Sequence, residues 1–239
     1  MSLVSISRKL SREISQLNTQ EAASFTYNPL QYARAPHEDY LKKFGSGPKQ
    51  ILWLGMNPGP FGMTQTGVPF GDVTMVRDWM GIERKIKPPS NQHPKRPILG
   101  FDCPRSEVSG TRLWSFAREN FSTPESFFSR FFVINYCPLV FMEESGKNLT
   151  PDKLPKELRD ELYKICDDAF RATVKLLKPQ WVLGVGGFAK KRALDALGET
   201  PIRIGSILHP SPASPRANRG WAQEVKKQLI DLDISLSPS

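Results

Sequence analysis

Four short runs of apolar residues stand out along the chain: QILWLG (50–55), FFVIN (131–135), WVLGV (181–185) and IRIGSIL (202–208). None alternates strictly between apolar and polar positions, so each predicts a strand buried on both faces. Apolar residues at helical spacing fill the intervals. The longest such stretch runs from about Asp152 to Leu177, with Leu154, Leu158, Leu162, Ile165, Ala169, Phe170 and Leu177 on one stripe. Others span 188–197 and about 218–232, and Leu3, Ile6, Leu10, Ile14 and Leu17 give an N-terminal helix. Strands alternating with helices predict an α/β fold whose mostly parallel sheet is covered on both faces. The segment KIKPPSNQHPKRPILGFDCPR (85–105) carries no such period and reads as a long surface excursion.

Ligands of a parallel sheet bind beyond the carboxyl ends of its strands, so the residues that follow each run carry the chemistry. The first run is followed by Met56-Asn57-Pro58-Gly59 and the second ends in Asn135. The third leads into Gly186-Gly187 and the fourth into His209-Pro210-Ser211-Pro212. The stretch GMNPGPFGMTQTGVPFG (55–71) holds five glycines and no charge. Glycine costs backbone entropy, and its use here suits a loop whose backbone must lie close to something flat.

Each candidate has a plain structural reading beside the functional one. Asn57 starts an Asn-Pro turn, yet its flanking glycines clear space beside it. Asn135 caps a strand end, or it offers the donor and acceptor needed to read a nucleobase edge. Phe70 tucks a loop onto the core, or it forms a stacking platform for a flat ring. His209 is packed at a strand end, or it works beside a stiff basic loop, PSPASPRANRGW, that could press on a nucleic acid. Gly184-Val185-Gly186-Gly187, with Lys190 following, departs from the dinucleotide fingerprint but leaves a helix N-terminus for phosphate.

Composition narrows the partners. The 239 residues carry a net charge of +9, which points to a polyanion, with DNA or RNA foremost. The length fits one domain, residues 1–239, with 1–45 as a helical extension packed on it. Cys103, Cys137 and Cys166 are widely spaced and odd in number, which disfavours disulfides and metal sites and fits a reducing compartment. No apolar run approaches a membrane span, and the N-terminus lacks the apolar block of a secretory signal. A protein of the cytoplasm and nucleoid, or of a nucleus, is expected. No carboxylate pair follows the strands, and no HxE…CxxC deaminase signature occurs.

GMNPGPFGMTQTGVPFG, FDCPRSEVSGTRLW (101–114), NYCPLVFMEESGKNLTP and HPSP…ANRGW occur in this order, from about Leu52 to Trp221. Together they resemble the single-strand-selective monofunctional uracil-DNA glycosylases. The resemblance implies a three-layer α/β/α fold with a short four-stranded parallel sheet. It also implies hydrolysis of the N-glycosidic bond of uracil, and of 5-hydroxymethyluracil, in DNA, without lyase activity or cofactor, by a monomer in base excision repair. By the same resemblance Asn57 positions the water, and His209 donates to uracil O2. Asn135 reads the pyrimidine edge and Phe70 stacks on it. Met56, Gly59 and Met63 shape the pocket, the last two leaving room at the 5-position. DNA contacts are expected from Lys147, Asn148, Gly186, Gly187, Lys190, Ser211, Pro212, Arg216, Asn218 and Arg219. Two departures stand out: Ala213 follows HPSP where the family has arginine, and Gly187 also stands in an arginine's place. Deaminated purines as main substrates, or a non-catalytic damage-binding role, are the alternatives.

Overall fold

The computed structural model describes residues 1–236. Among these residues seven strands form: β1 (Phe25–Tyr27), β2 (Ile51–Gly55), β3 (Phe131–Asn135), β4 (Val140–Met142), β5 (Asn148–Leu149), β6 (Trp181–Val185) and β7 (Arg203–Ile207). The four five-residue strands make one all-parallel sheet in the order β3-β2-β6-β7. They coincide with the four predicted runs to within a residue at each end. The central β2 is enclosed on both faces: Ile51, Leu52, Trp53 and Leu54 have no exposed surface. That is why its sequence shows no alternation.

Aromatic side chains fix the two covering layers. Trp53 and Phe131 point to one face and pack on Phe116 and Phe127, respectively, from the helices Val108–Phe121 and Pro124–Arg130. Phe132, one residue on, points to the other face and stacks on Tyr40 of the helix Arg34–Phe44. The Tyr40 hydroxyl donates to the Val133 carbonyl at 2.8 Å, so its polar end is satisfied inside the core. The longest helix, Lys156–Leu177, covers this second face with Leu162, Cys166, Phe170, Val174 and Leu177 buried. The buried stripe is rotated from the predicted one. Leu154 is buried but precedes the helix, and Leu158, Ile165 and Ala169 lie at its edge.

The N-terminal helix Leu3–Ile14 is held by a reciprocal Ser2–Ser5 cap. Leu3, Ile6, Ile14 and Leu17 belong to the same apolar cluster as the sheet. Arg8 of this helix forms a two-pronged pair with Glu38, which the cation holds below the usual carboxylate range. No helix among the described residues is long and apolar enough to cross a membrane.

A second, antiparallel sheet β1-β4-β5 has no counterpart in the sequence reading. Its strands are two or three residues long, too short to show a period. Residues 85–105 run largely exposed over the surface, as expected, yet they are tied down to this sheet and to Gln65. His93 and Ile98 are buried. The Tyr27 hydroxyl accepts from the His93 backbone N–H at 2.6 Å, and Gln65 Oε1 accepts from the N–H groups of Leu99 and Gly100. Side chains replace the backbone ladder here, so the segment is ordered although its one regular element is the short 3-10 turn Gly100–Asp102. Cys103, Cys137 and Cys166 are all buried free thiols.

Candidate active site

At the carboxyl edge of the main sheet lies a cavity of about 360 Å³. Met56, Asn57, Gly59, Met63, Phe70, Asn135, Asn148, His209 and Ser211 all line it. Three strands supply its key polar groups: Asn57 follows β2, Asn135 ends β3 and His209 follows β7. Every residue expected to hold or cleave a base is therefore in one hollow.

Gly55 makes the close approach possible. A methyl group there would lie 2.7 Å from the Phe70 ring and would overlap the Asn135 carboxamide. Asn135 Nδ2 lies 3.4 Å from Met63 Sδ, a weak acceptor. Its Oδ1 is buried with no hydrogen-bond partner. A buried carbonyl left in that state costs about 1–3 kcal/mol, and a ligand N–H would recover it.

Phe70 adopts the left-handed backbone region, φ 53°, which a bulky residue enters at a cost of about 1–2 kcal/mol. The loop over-determines it. The Phe70 carbonyl accepts from Trp114 Nε1 and from the Asp72 N–H, both at 2.9 Å, and Gly110 is hydrogen-only because any Cβ would strike that carbonyl. The ring is thereby set edge-tilted to His209, with centroids 6.1 Å apart. A rigid platform beside an imidazole results.

Asn57 Nδ2 donates to the Leu139 carbonyl at 3.3 Å. Since a carbonyl can only accept, the amide's orientation is fixed and Oδ1 is left as an acceptor. Burial lowers the pKa of His209 below its ordinary value, so the imidazole is neutral at neutral pH and keeps one N–H to donate. Gly186, with φ +94°, sits against His209; a Cβ there would be 3.4 Å from that of the histidine.

The expected DNA contacts divide into groups. Asn148 lines the same cavity, with its own Oδ1 buried and unpartnered. Lys147, next to it, is exposed. Gly186, Gly187 and Lys190 open the helix Gly187–Leu197, whose first turn faces solvent at Gly187. Pro212 and Ala213 form the exposed tip of the loop after β7. Arg216 is turned away on to Glu224, while Arg219 lies exposed beside it.

Sequence reasoning missed four residues here. Arg112 donates to the carbonyls of Pro210 (3.2 Å) and Ser211 (3.3 Å) and to Asn218 Oδ1 (2.8 Å), so one guanidinium braces the loop after β7. The Asn218 amide then closes on the Pro212 carbonyl. Ser109, Thr150 and Glu107 line the cavity itself. Glu107 is the N-cap of the helix Val108–Phe121, but its carboxyl does not cap that helix. It turns into the cavity, where burial, with the Asp72 charge adding, pushes it up to about 7. These residues come from loops and a helix, not from strand ends, and only the FDCPRSEVSGTRLW block, for Glu107, Ser109 and Arg112, and the NYCPLVFMEESGKNLTP block, for Thr150, pointed to their neighbourhood.

The fold and this hollow define an α/β protein with a polar and aromatic cavity at the carboxyl edge of a short parallel sheet. A family model, the uracil DNA glycosylase superfamily, matches residues 42–232. The chain belongs to that superfamily. It is 50% identical over 228 residues to the single-strand selective monofunctional uracil-DNA glycosylase of Rattus norvegicus, covering 95% of this chain and 82% of the relative. The corresponding protein of Bos taurus is 47% identical, covering 95% and 84%. Among solved structures, SMUG2 of Pedobacter heparinus shares the fold, with a TM-score of 0.67 at 18% identity over 95% of this chain and 97% of that one.

Proposed function

We infer that this chain is a monofunctional uracil-DNA glycosylase that hydrolyses the bond between uracil and deoxyribose in DNA and leaves an abasic site. The observation that carries the assignment of roles is the single cavity shared by Asn57, Phe70, Asn135 and His209. A base inside a duplex cannot reach such a hollow, so the nucleotide is swung out at a cost of a few kcal/mol. Pro212 and Ala213, on the loop braced by Arg112, are the residues that press into the gap.

In the cavity the ring stacks on Phe70. Uracil N3–H donates to the unpartnered Asn135 Oδ1, and Asn135 Nδ2 donates to O4. Cytosine inverts both requirements, since it presents an acceptor at position 3 and a donor at position 4, and is rejected. The bond breaks with its electron pair going to the base. Negative charge then spreads over O2 and O4, and the neutral His209 N–H donates to O2 as that charge grows. The sugar becomes an oxocarbenium ion. Asn57 Oδ1 holds a water that adds to it, and the water's proton passes to solvent. No strong base is required because the water attacks a cation. Gly59 and Met63 leave room for 5-hydroxymethyluracil. A DNA substrate supports a nuclear or nucleoid location.

The test uses oligonucleotides carrying uracil, hypoxanthine or cytosine. Uracil excision giving strand breaks only after alkali is the expected result. His209→Ala should lower the rate by about 10²–10³-fold. Breaks without alkali, or faster release of hypoxanthine than of uracil, would refute the assignment.

A further inference from the structure

The mechanism above leaves one titratable group of the cavity unused. Glu107 sits in its wall, and neither of its carboxyl oxygens is hydrogen-bonded among the described residues. The backbone N–H of Glu107 donates to Asp72 Oδ2 at 3.0 Å, and the Ser106 hydroxyl donates to the same oxygen at 2.9 Å, so the segment is fixed while the side chain is left over. Two glycines make space for the carboxyl. A methyl at Gly62 would overlap it, with Cδ at 2.8 Å, and one at Gly59 would stand 3.6 Å from Oε1. The carboxyl thus closes the side of the hollow formed by Gly59. Gly59 is one of the two residues read above as leaving room for a 5-substituent, so that side is the one such a substituent would enter.

We propose that Glu107 determines how the pocket handles an oxygen-bearing substituent at the pyrimidine 5-position, donating to it as an acid and accepting from it as a carboxylate. The inference rests on the reading of Asn135 and His209 given above. Its chemistry follows from what each partner can do. A carboxylate only accepts, whereas a carboxylic acid can donate. A 5-formyl oxygen only accepts, so it pairs with the acid and is repelled by the carboxylate. A 5-hydroxymethyl group donates or accepts and suits both. Uracil itself has no group there and serves as an internal reference.

The group changes state in the useful range because enclosure and Asp72 raise its pKa to about 7. The other charged neighbours do not oppose this. Arg105, two residues earlier, lies over the Phe61 ring at 4.2 Å; Arg112, on the same helix, is taken up by the loop after β7; and His209, across the cavity, is neutral. The acid form of Glu107 then falls about fourfold between pH 6 and 7.5.

The experiment measures single-turnover excision of uracil, 5-formyluracil and 5-hydroxymethyluracil from one oligonucleotide context at pH 6, 6.75 and 7.5. Wild type is compared with Glu107→Gln, whose amide donates at every pH. Each rate is divided by the same protein's rate on uracil at the same pH. In wild type the 5-formyl ratio should drop about fourfold over this range, and the 5-hydroxymethyl ratio should stay within about twofold. The variant should lose the 5-formyl slope. Parallel slopes for the two modified bases in wild type, or a variant that keeps the wild-type slope, would overturn the proposal. The wild-type profile decides even if the variant misfolds. Absence of uracil excision from wild type would instead overturn the functional reading on which it rests.

Discussion

Replacing Asn135 by alanine should move stability and activity in different directions. In the free protein the side chain holds a buried oxygen with no partner and one weak contact from Nδ2 to Met63 sulfur at 3.4 Å. Removing the carboxamide relieves about 1–3 kcal/mol of desolvation with only the weak sulfur contact to lose. The packing that disappears borders an open cavity, so no sealed void is created. Stability should therefore be unchanged or higher by up to about 2 kcal/mol, which for a chain of this length raises Tm by about 2–4 °C per kcal/mol. Excision moves the opposite way. A two-point contact to a base is worth about 1–3 kcal/mol in recognition, and the bond to O4 strengthens as the leaving anion forms. Together these predict a fall of about 10²–10³-fold in kcat/KM on uracil. Preference for uracil over cytosine should shrink as well, because neither base finds a partner at positions 3 and 4. Calorimetry and alkaline cleavage of abasic product, in one buffer, read both quantities. A Tm lower by more than about 4 °C, or uracil excision within tenfold of wild type, would show that the carboxamide is structural and refute the argument.

Two further outcomes follow from the same geometry. Gly55→Ala places a methyl against Phe70 and Asn135 at the end of a central strand, so it should cost about 1–3 kcal/mol of stability and most of the uracil excision; a variant with normal melting and activity would deny that the close approach matters. The pH dependence of stability has two opposed contributions. His37 is enclosed, with Nδ1 donating to the Gly67 carbonyl at 2.8 Å, and its pKa is lowered to about 4. Between pH 6.5 and 4 the unfolded chain binds the proton that folded His37 refuses, so stability falls with falling pH, by about 3 kcal/mol over that window. Glu107 is raised to about 7, so the folded state binds its proton first and stability falls as pH rises from about 4.5 to 7. The two slopes oppose each other in wild type. Glu107→Gln should expose the histidine slope as a steeper loss of Tm on acidification, and equal Tm profiles for the two proteins would refute the assignment.

How much of this was legible in the sequence depends on which physical force fixes each part. Strands buried on both faces must be apolar throughout, so β2, β3, β6 and β7 announce themselves, and with them the residues at their ends. That is why Asn57, Asn135 and His209 could be named before the fold was known. The small sheet β1-β4-β5 and the ordered segment 85–105 are fixed by side-chain hydrogen bonds such as those of Gln65 and Tyr27. Such bonds have no period in sequence. The same holds for Glu107 and Arg112: each acts at a distance from its own element, and an i, i+4 pattern or a strand end gives no hint of it.

The order of the strands explains why this edge makes a site for one ring. Asn135 ends the outer strand β3 and His209 follows the outer strand β7, with β2 and β6 between them. Three strand spacings put their starting points about 14 Å apart. The two central strands must then leave the intervening space free of side chains. They do so with glycine: Gly55 at the end of β2, where any Cβ would strike Phe70, and Gly186 just past β6, whose φ of +94° favours glycine beside His209. The loop after β2 adds Gly59 and Gly62, between which the Glu107 carboxyl lies. Glycine at these positions weakens the local backbone, and the Trp114 bond to Phe70 and the Arg112 brace on Pro210 and Ser211 hold the walls instead. The glycine-rich stretch and the two distant helical residues are thus parts of one arrangement. The glycines admit a planar ring from above, and the helix Val108–Phe121 keeps the opened pocket from collapsing.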